Sequence, residues 1–394
     1  MCFALSVMNI DEAIVQIKCY NNHSLYILDA TSVDLAYWLL LLKAPYLGVK
    51  TFYKALELFE SPQQVFLASH AQRVASGLFK KQTLDYLETA DVSLVQADLD
   101  WQRNEHCHIL TLIDQDYPEQ LKAIADPPPL LYVRGDVLCL SEPQLAIVGS
   151  RNPSTGGEQN ALQFAQGLVK SGLTITSGMA SGIDAKAHIG ALEAGGKTIA
   201  VCGTGLDRIY PAKHKALAHQ ISLQGALVSE FAIGTSPMAS NFPRRNRLIS
   251  GLSLGCLVVE ATIKSGTMIT ARLAAEQGKE VFSIPSSIHN PLAEGCHELI
   301  KQGAKLTGDI NDIIEELPQQ LLSSKSVEKI TQSTKEMDKT GYKVLKCLSY
   351  EALTVDQLVE KTKLSPQLVT QELLLLELNR RIEKTNAQGY VLIK

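Results

Sequence analysis

The stretch Asn241-Phe242-Pro243-Arg244-Arg245-Asn246-Arg247-Leu248-Ile249-Ser250 sets three arginines and two asparagines around one aromatic ring. Guanidinium groups fork onto phosphate oxygens, and Phe242 offers a face on which an unpaired base can stack. Such stacking is worth ~1–3 kcal/mol per base and tolerates any base. A duplex hides those faces, so the chemistry suggested is a grip on single-stranded nucleic acid with little sequence preference. Three further stretches can add anion contacts. Gly149-Ser150-Arg151, with Gly156-Gly157 behind it, and Ser177-Gly178-Met179-Ala180-Ser181-Gly182-Ile183-Asp184 are small-residue turns that let backbone N–H groups meet a ligand. Lys213 and Lys215 follow the turn Gly203-Thr204-Gly205-Leu206-Asp207 and Tyr210-Pro211, and Lys264-Ser265-Gly266-Thr267 opens another helix. The candidate DNA-binding residues are therefore Gly149, Ser150, Arg151, Ser177, Gly178, Met179, Lys213, Phe242, Arg244, Arg245, Asn246, Arg247, Ser265, Gly266 and Thr267. Each has a plainer reading. Arg151 could be a surface ion-pair partner, the glycines could serve helix-on-sheet packing, and the lysines could be a solvated helix face.

No catalytic set stands out. His188 has no serine or cysteine nucleophile at a recognisable spacing and reads as a packing residue. Glu260, closing a strand, lacks a second activated group, and a hydrogen-bonding role toward a helix N-terminus or a ligand amine suits it better than that of a general base. The glycine turns do not follow Gly-x-Gly-x-x-Gly and no acidic residue ends the second strand, which disfavours a dinucleotide cofactor. The eight cysteines (Cys2, Cys19, Cys107, Cys139, Cys202, Cys256, Cys296, Cys347) form no C-x-x-C pair, so neither a metal site nor a disulfide framework is expected.

These residues need elements to position them. From Leu145 short apolar, β-branched runs alternate with segments of helical period: Leu145–Val148, Leu173–Thr176, Thr198–Cys202, Ala226–Ser229, Cys256–Glu260 and Glu280–Ile284. Continuous apolar strands alternating with helices give a parallel sheet covered on both faces, with ligands outside the carboxyl ends of its strands. Before it, Asp34 to about Leu94 reads as a small helical domain. His108 to Asp136 reads as a connector that Tyr117-Pro118 and Pro127-Pro128-Pro129 keep extended. Pro318 to Lys339 reads as a linker. Tyr342–Leu348, Thr354–Thr362 and Ser365–Leu378 read as three helices closed by a hairpin, which describes a winged helix. Residues 1–31 show no clear periodicity and suit a loose arm or an artefact of where the reading frame was opened.

With 394 residues, 45% hydrophobic and 20% charged, the chain can bury two or three cores. Its longest apolar run, Leu35 to Leu42, falls far short of the ~20 residues that span a bilayer, and its start lacks a basic secretory leader, so a cytoplasmic protein is expected. A formal net charge of −4 disfavours coating nucleic acid by bulk charge, which makes local arginine clusters the informative feature.

An ordered series of motifs resembles the DprA/Smf family of DNA-processing proteins: Tyr117-Pro118, the approach from Pro127 to Asp136, Gly149-Ser150-Arg151, Ser177 to Asp184, Asn246-Arg247-Leu248-Ile249 and Gly295-Cys296-His297. The resemblance runs from about Asp34 to the C-terminus. It implies an α/β fold: an extended Rossmann-like parallel-sheet domain (105–317), preceded by a small helical SAM/HhH-like domain (32–104) and followed, after the linker, by a C-terminal winged helix (340–394). It also implies a non-enzymatic homodimer that needs no cofactor, protects incoming single-stranded DNA in natural transformation (competence) and loads the RecA recombinase onto it. Arg151 would then be a principal DNA contact, and Leu299, Ile300 and Leu306 would lie where family members pair. Ala212 intervenes after Tyr210-Pro211 where many relatives carry a lysine at once, so the phosphate contact there moves to Lys213. Two other functions compete. Phosphoribohydrolase-type enzymes on related folds carry a Pro-Gly-Gly-x-Gly-Thr turn, where this chain has Lys264-Ser265-Gly266-Thr267. A transcription regulator would need a concentrated basic recognition helix, which residues 341–394 lack.

Overall fold

The structure, a computed structural model, describes residues 14–17, 26–318, 344, 347–348, 353–378, 382–384 and 389–392. The linker expected from 318 to 339, apart from Pro318, and most of the helix expected over Tyr342–Leu348 lie outside them. The chain divides into two compact units, residues 1–322 and 323–394.

In the first unit, β1 (Ile14–Ile17) and β2 (Tyr26–Asp29) pair antiparallel in the stretch read as a loose arm, so part of it has regular structure. Six helices follow: α1 (Ala30–Lys43), α2 (Val49–Phe59), α3 (Pro62–Leu67), α4 (His70–Ala75), α5 (Lys81–Thr89) and α6 (Gln96–Gln102). Side chains start their turns as the sequence would have them: Ser61 and Ser69 are N-caps, and Ser69 forms a capping box with Gln72.

Nine strands then build one sheet. They are β3 (Cys107–Thr111), β4 (Leu130–Gly135), β5 (Gln144–Val148), β6 (Thr174–Ser177), β7 (Thr198–Val201), β8 (Ala226–Ser229), β9 (Gly255–Val258), β10 (Glu280–Ser283) and β11 (Lys305–Leu306), in the order β11-β10-β9-β5-β6-β7-β8-β4-β3. The six expected strands are all present and parallel to their neighbours among themselves. Every residue of β5 to β9 is buried, the physical reason those segments are continuous apolar runs rather than alternating ones. The stretch expected to be only a connector differs: β3 and β4 extend the sheet antiparallel beyond β8.

The helices that cover the sheet are α7 (Glu119–Lys122), α8 (Thr155–Lys170), α9 (Ile183–Glu193), α10 (Lys215–Gln224), α11 (Asn241–Leu252), α12 (Gly266–Glu276), α13 (Glu294–Lys301) and α14 (Asn311–Ile314). Leu145, Ile147, Ile175 and Leu257 pack on one face with Ala161, Leu168 and Ala187, while Ala146, Val148, Val201 and Val258 pack on the other with Leu248, Leu252 and Met268. The early helices share a third core with the sheet, in which Trp38, Leu41 and Phe52 meet Ile109, Tyr132 and Leu227. One buried acid ties them: Asp98 accepts from Lys43 Nζ at 2.8 Å, the Tyr132 hydroxyl at 2.9 Å and the Ile233 N–H at 2.9 Å. A buried carboxylate with several donors is held firmly, and stripping its partners costs about 3–5 kcal/mol.

The second unit contains α15 (Val355–Thr362), α16 (Pro366–Leu378) and the hairpin β12 (Ile382–Lys384) with β13 (Tyr390–Leu392). Thr354 starts α15 through a capping box with Gln357. Leu358, Val369, Leu373, Leu376 and Ile382 form its core with Val344 and Leu348, the pattern of a winged helix.

Candidate nucleic-acid interface

Chain order leaves β5 in two directions, toward β6 on one side and toward β9 on the other, so the sheet has its switch point between β5 and β9. Ligands of open α/β sheets bind in the crevice outside the carboxyl ends of the strands at that point. A groove of about 670 Å³ opens there, between the turn after β5 (Gly149 to Asn152), the turn after β9 (Thr262 to Thr267) and the first two turns of α11.

Three of the helices around the groove, α8, α9 and α12, differ in who satisfies their N-termini. Ser154 caps α8 by accepting from Gly157 N–H at 3.0 Å, and Glu260 accepts from the Ser154 N–H at 2.9 Å and hydroxyl at 2.6 Å. Glu260 therefore occupies the place where a phosphate sits in dinucleotide-binding relatives of this fold. A Cβ on Gly157 would lie 2.5 Å from its carboxyl group, which accounts for a glycine there. Asp184, in the first turn of α9, accepts from Ala180 N–H at 3.3 Å. At α12 the N-cap Ser265 makes no side-chain cap bond, and its hydroxyl is buried without a partner. Gly182 at the start of α9 likewise makes no side-chain cap bond, but Asp184 lies in the first turn of that helix, whereas the first turn of α12 has no acid and suits an external anion.

Arg151 stands exposed at the mouth, with its guanidinium 5.8 Å from the centre of the Phe242 ring. Phe242 is half-buried and meets the Tyr210 ring at 5.6 Å, tilted by 42°. Gly203 permits this, because a Cβ there would lie 2.9 Å from the Phe242 ring. These three side chains stand between the main groove and an adjoining recess of about 110 Å³ lined by Met179, Ser181 and Pro211. The wall behind them is Arg245. It is buried, donates to the Val201 carbonyl and leaves Nε without a partner. Burial pushes the Asp184 carboxyl up while Arg245 draws it back, and burial likewise lowers Arg245 while Asp184 opposes that. Asn246 reaches the Gly266 carbonyl at 3.4 Å, and Thr267 donates to the Gly149 carbonyl at 3.0 Å, joining the turns after β5 and β9.

Of the expected site residues, the groove thus brings together Gly149, Ser150, Arg151, Phe242, Arg245, Asn246, Ser265, Gly266 and Thr267. Others go elsewhere. Ser177 is fully buried and its hydroxyl donates to the Ile147 carbonyl at 2.6 Å, so it fixes β6 to β5 rather than facing a ligand. Gly178 offers its carbonyl to His188 Nε2 at 2.7 Å, below the groove. Met179 is buried but touches the recess. Arg247 is buried and spent on protein: it donates to the Asp126 carbonyl at 2.6 Å and pairs with Glu230 at 2.5 Å and Asp126 at 3.3 Å. Arg244 pairs with the same Glu230 oxygen at 2.8 Å and lies over Phe231, outside the groove. Lys213 is exposed beyond Tyr210-Pro211, a cis peptide, and does not line the groove. Leu299 is buried among Cys296 and Met268, which removes it from any pairing surface; Ile300 is partly exposed and Leu306 half-exposed on β11.

His188 packs as expected. Its Nε2 donates to Gly178, Nδ1 meets the Thr198 hydroxyl at 2.6 Å, and burial pulls its pKa down to about 4. The sequence reading missed Asn152, Thr262 and Thr270, which line the groove, and Glu230, which turns two arginines away from it. Glu230 directly follows β8, and an acid at the end of a buried strand was the available signal.

Residues 108–318 match the family described as DNA recombination-mediator protein A, and residues 329–387 match the DprA winged helix domain. The chain is 47% identical over 243 residues to Protein Smf of Escherichia coli K12, a match covering 61% of this chain and 65% of that protein, so less than two thirds of that relative is spanned. It is 45% identical over 206 residues to DNA processing protein DprA of Streptococcus pneumoniae R6, covering 52% of this chain and 73% of the relative. The X-ray structure of DNA processing protein A from Streptococcus pneumoniae superposes with a TM-score of 0.65 at 36% identity, over 72% of this chain and 98% of that one.

Proposed function

This chain belongs to the DNA recombination-mediator protein A family, the DprA/Smf proteins, and from that membership we infer that it holds single-stranded DNA in the groove at the β5/β9 switch point and passes it to a RecA-type recombinase during natural transformation. One observation carries the reading: an exposed Arg151, with no salt bridge among the described residues, lies against a half-buried Phe242 beside the start of α12, whose N-cap makes no side-chain bond. Phosphate can go to the arginine and to the helix N-terminus, while a base lies on the ring, a combination that only an unpaired strand satisfies. Handover to a recombinase is supported by the family's description as a recombination mediator. Pairing of two copies is supported by Leu306, half-exposed on the two-residue edge strand β11, and by Ile300, partly exposed on α13.

A non-catalytic role is supported by how the acids are used. Asp184, the carboxylate that lines the groove, is buried and accepts from Ala180 N–H at 3.3 Å, and both Glu260 oxygens accept from Ser154, so both acids are engaged by the protein itself. No helix among the described residues is long and apolar enough to cross a membrane. The test is a gel shift with single-stranded against duplex oligonucleotides, with and without Arg151→Ala. Preference for the single strand, reduced by the substitution and weakened by salt, is expected. Salt-insensitive preference for duplex, or release of free base from a nucleoside monophosphate, would overturn the reading.

A further inference from the structure

A second groove, of about 360 Å³, lies on the far side of the loop that carries Tyr210. Arg134 at the end of β4, Asp207 and Arg208 in the loop, and Lys215 and His219 on α10 line it, over a floor that includes the buried Leu206 and Leu227. Charge decides what it can hold. Arg134 and Lys215 are exposed and, among the described residues, have no carboxylate partner; the same is true of Lys213 beside it. Asp207, the acid in this lining, is spent within the loop: one oxygen accepts from Arg208 at 2.7 Å and 3.0 Å, the other from Gly234 N–H at 2.9 Å. The groove thus presents excess positive charge in a chain whose formal net charge is −4, and such a local reversal marks an anion site. Its lining has no Phe, Tyr or Trp, and His219 is its one ring, so it suits neutralising phosphates better than stacking successive bases.

The two grooves lie on either side of one loop. Tyr210 lines the aromatic groove and its recess and Pro211 lines the recess, while their neighbours Ile209 and Ala212 line the second groove. From Ile209 to Ala212 the chain spans at most about 11 Å, a short step along a sugar–phosphate backbone, with Lys213 next to the crossing. We propose that the second groove is a backbone-only extension of the first, taking successive phosphates of the same single strand after its bases have left Phe242. This rests on the single-strand reading of the first groove.

Two double variants test it, Arg134→Ala with Lys215→Ala and Arg134→Glu with Lys215→Glu. Both change exposed side chains, and thermal melting checks that they fold. Each is titrated by fluorescence anisotropy with oligothymidines of roughly 6 and roughly 25 nucleotides, lengths chosen around the ~4–16 that one binding module covers. The short strand should bind within about twofold of the unaltered protein. The long strand should bind roughly tenfold more weakly to the alanine pair, with a logarithmic salt slope smaller by ~1.4, at ~0.7 per lost phosphate contact. The glutamate pair should lose more. Long-strand binding equal to that of the unaltered protein would overturn the extension and leave the first groove's role standing. Failure of the unaltered protein to bind either strand would overturn both. Inorganic phosphate at matched ionic strength separates the sources of the anion: if it abolishes the long-strand advantage, the groove is a small-anion site and the extension is wrong.

Discussion

Helix α11 has two faces that share one arginine-rich segment and use it in opposite ways. Phe242, Arg245, Asn246 and Ile249, three or four residues apart, line the groove, whereas Arg244 and Arg247, also three apart, point to Glu230. Arg247 is buried in salt bridges with two acids; Arg151, across the groove from this helix, is exposed and makes no salt bridge among the described residues. A guanidinium is available to a ligand only where the fold has not already supplied its anion. Density of arginines in a sequence does not measure that supply. The same rule separates the helix N-termini: Glu260 engages the N-cap residue of α8, Asp184 lies in the first turn of α9, and the first turn of α12 has no acid.

The comparison can be broken most forcefully at Arg247. Replacing it by alanine leaves Glu230 buried, with one oxygen already lacking a partner, and should cost about 3–5 kcal/mol of stability in denaturant unfolding. The folded fraction should still bind single strands within about twofold. A stable Arg247→Ala that had lost DNA binding would mean that this arginine belongs to the groove after all.

Next in size is a pH effect under the groove. Burial holds His188 neutral down to about pH 4, whereas the unfolded chain takes up a proton near 6.5. The unfolded state then binds more protons, so stability is fully present above pH 6.5 and falls as pH drops toward 4, by about 3 kcal/mol in all. Unfolding of His188→Gln, measured across that window, should have a flatter pH dependence, and an unchanged slope would assign it to other groups.

A smaller effect sharpens the groove face. Phe242→Ala should lose ~1–3 kcal/mol of single-strand affinity, read by anisotropy, while duplex binding changes less. Equal losses on both would remove stacking from the account. The smallest is expected on the opposite face: Arg244 is half-exposed, so Arg244→Ala should cost below about 1 kcal/mol of stability and leave affinity within about twofold.

Much of the fold was legible because β5 to β9 are buried on both faces and so read as unbroken apolar runs. β3 and β4 were not, since prolines and a lone exposed residue, His108, obscured them, and two residues of β11 carry no periodicity. In the site, turns at strand ends pointed to Arg151 and to Ser265–Thr267. What failed was the treatment of Arg244 to Arg247 as one cluster. Their anions, Glu230 and Asp126, are distant in sequence, and without the helical register of α11 nothing in the composition tells an engaged arginine from a free one.

The most direct measurement is a side-by-side titration of a single-stranded oligonucleotide with the unaltered protein, Arg151→Ala and Arg244→Ala over a range of salt. Loss of about tenfold or more for Arg151→Ala, with a salt slope smaller by ~0.7, beside a near-unchanged Arg244→Ala, is the predicted result. A loss for Arg244→Ala that equals or exceeds that of Arg151→Ala would contradict the assignment of the two faces.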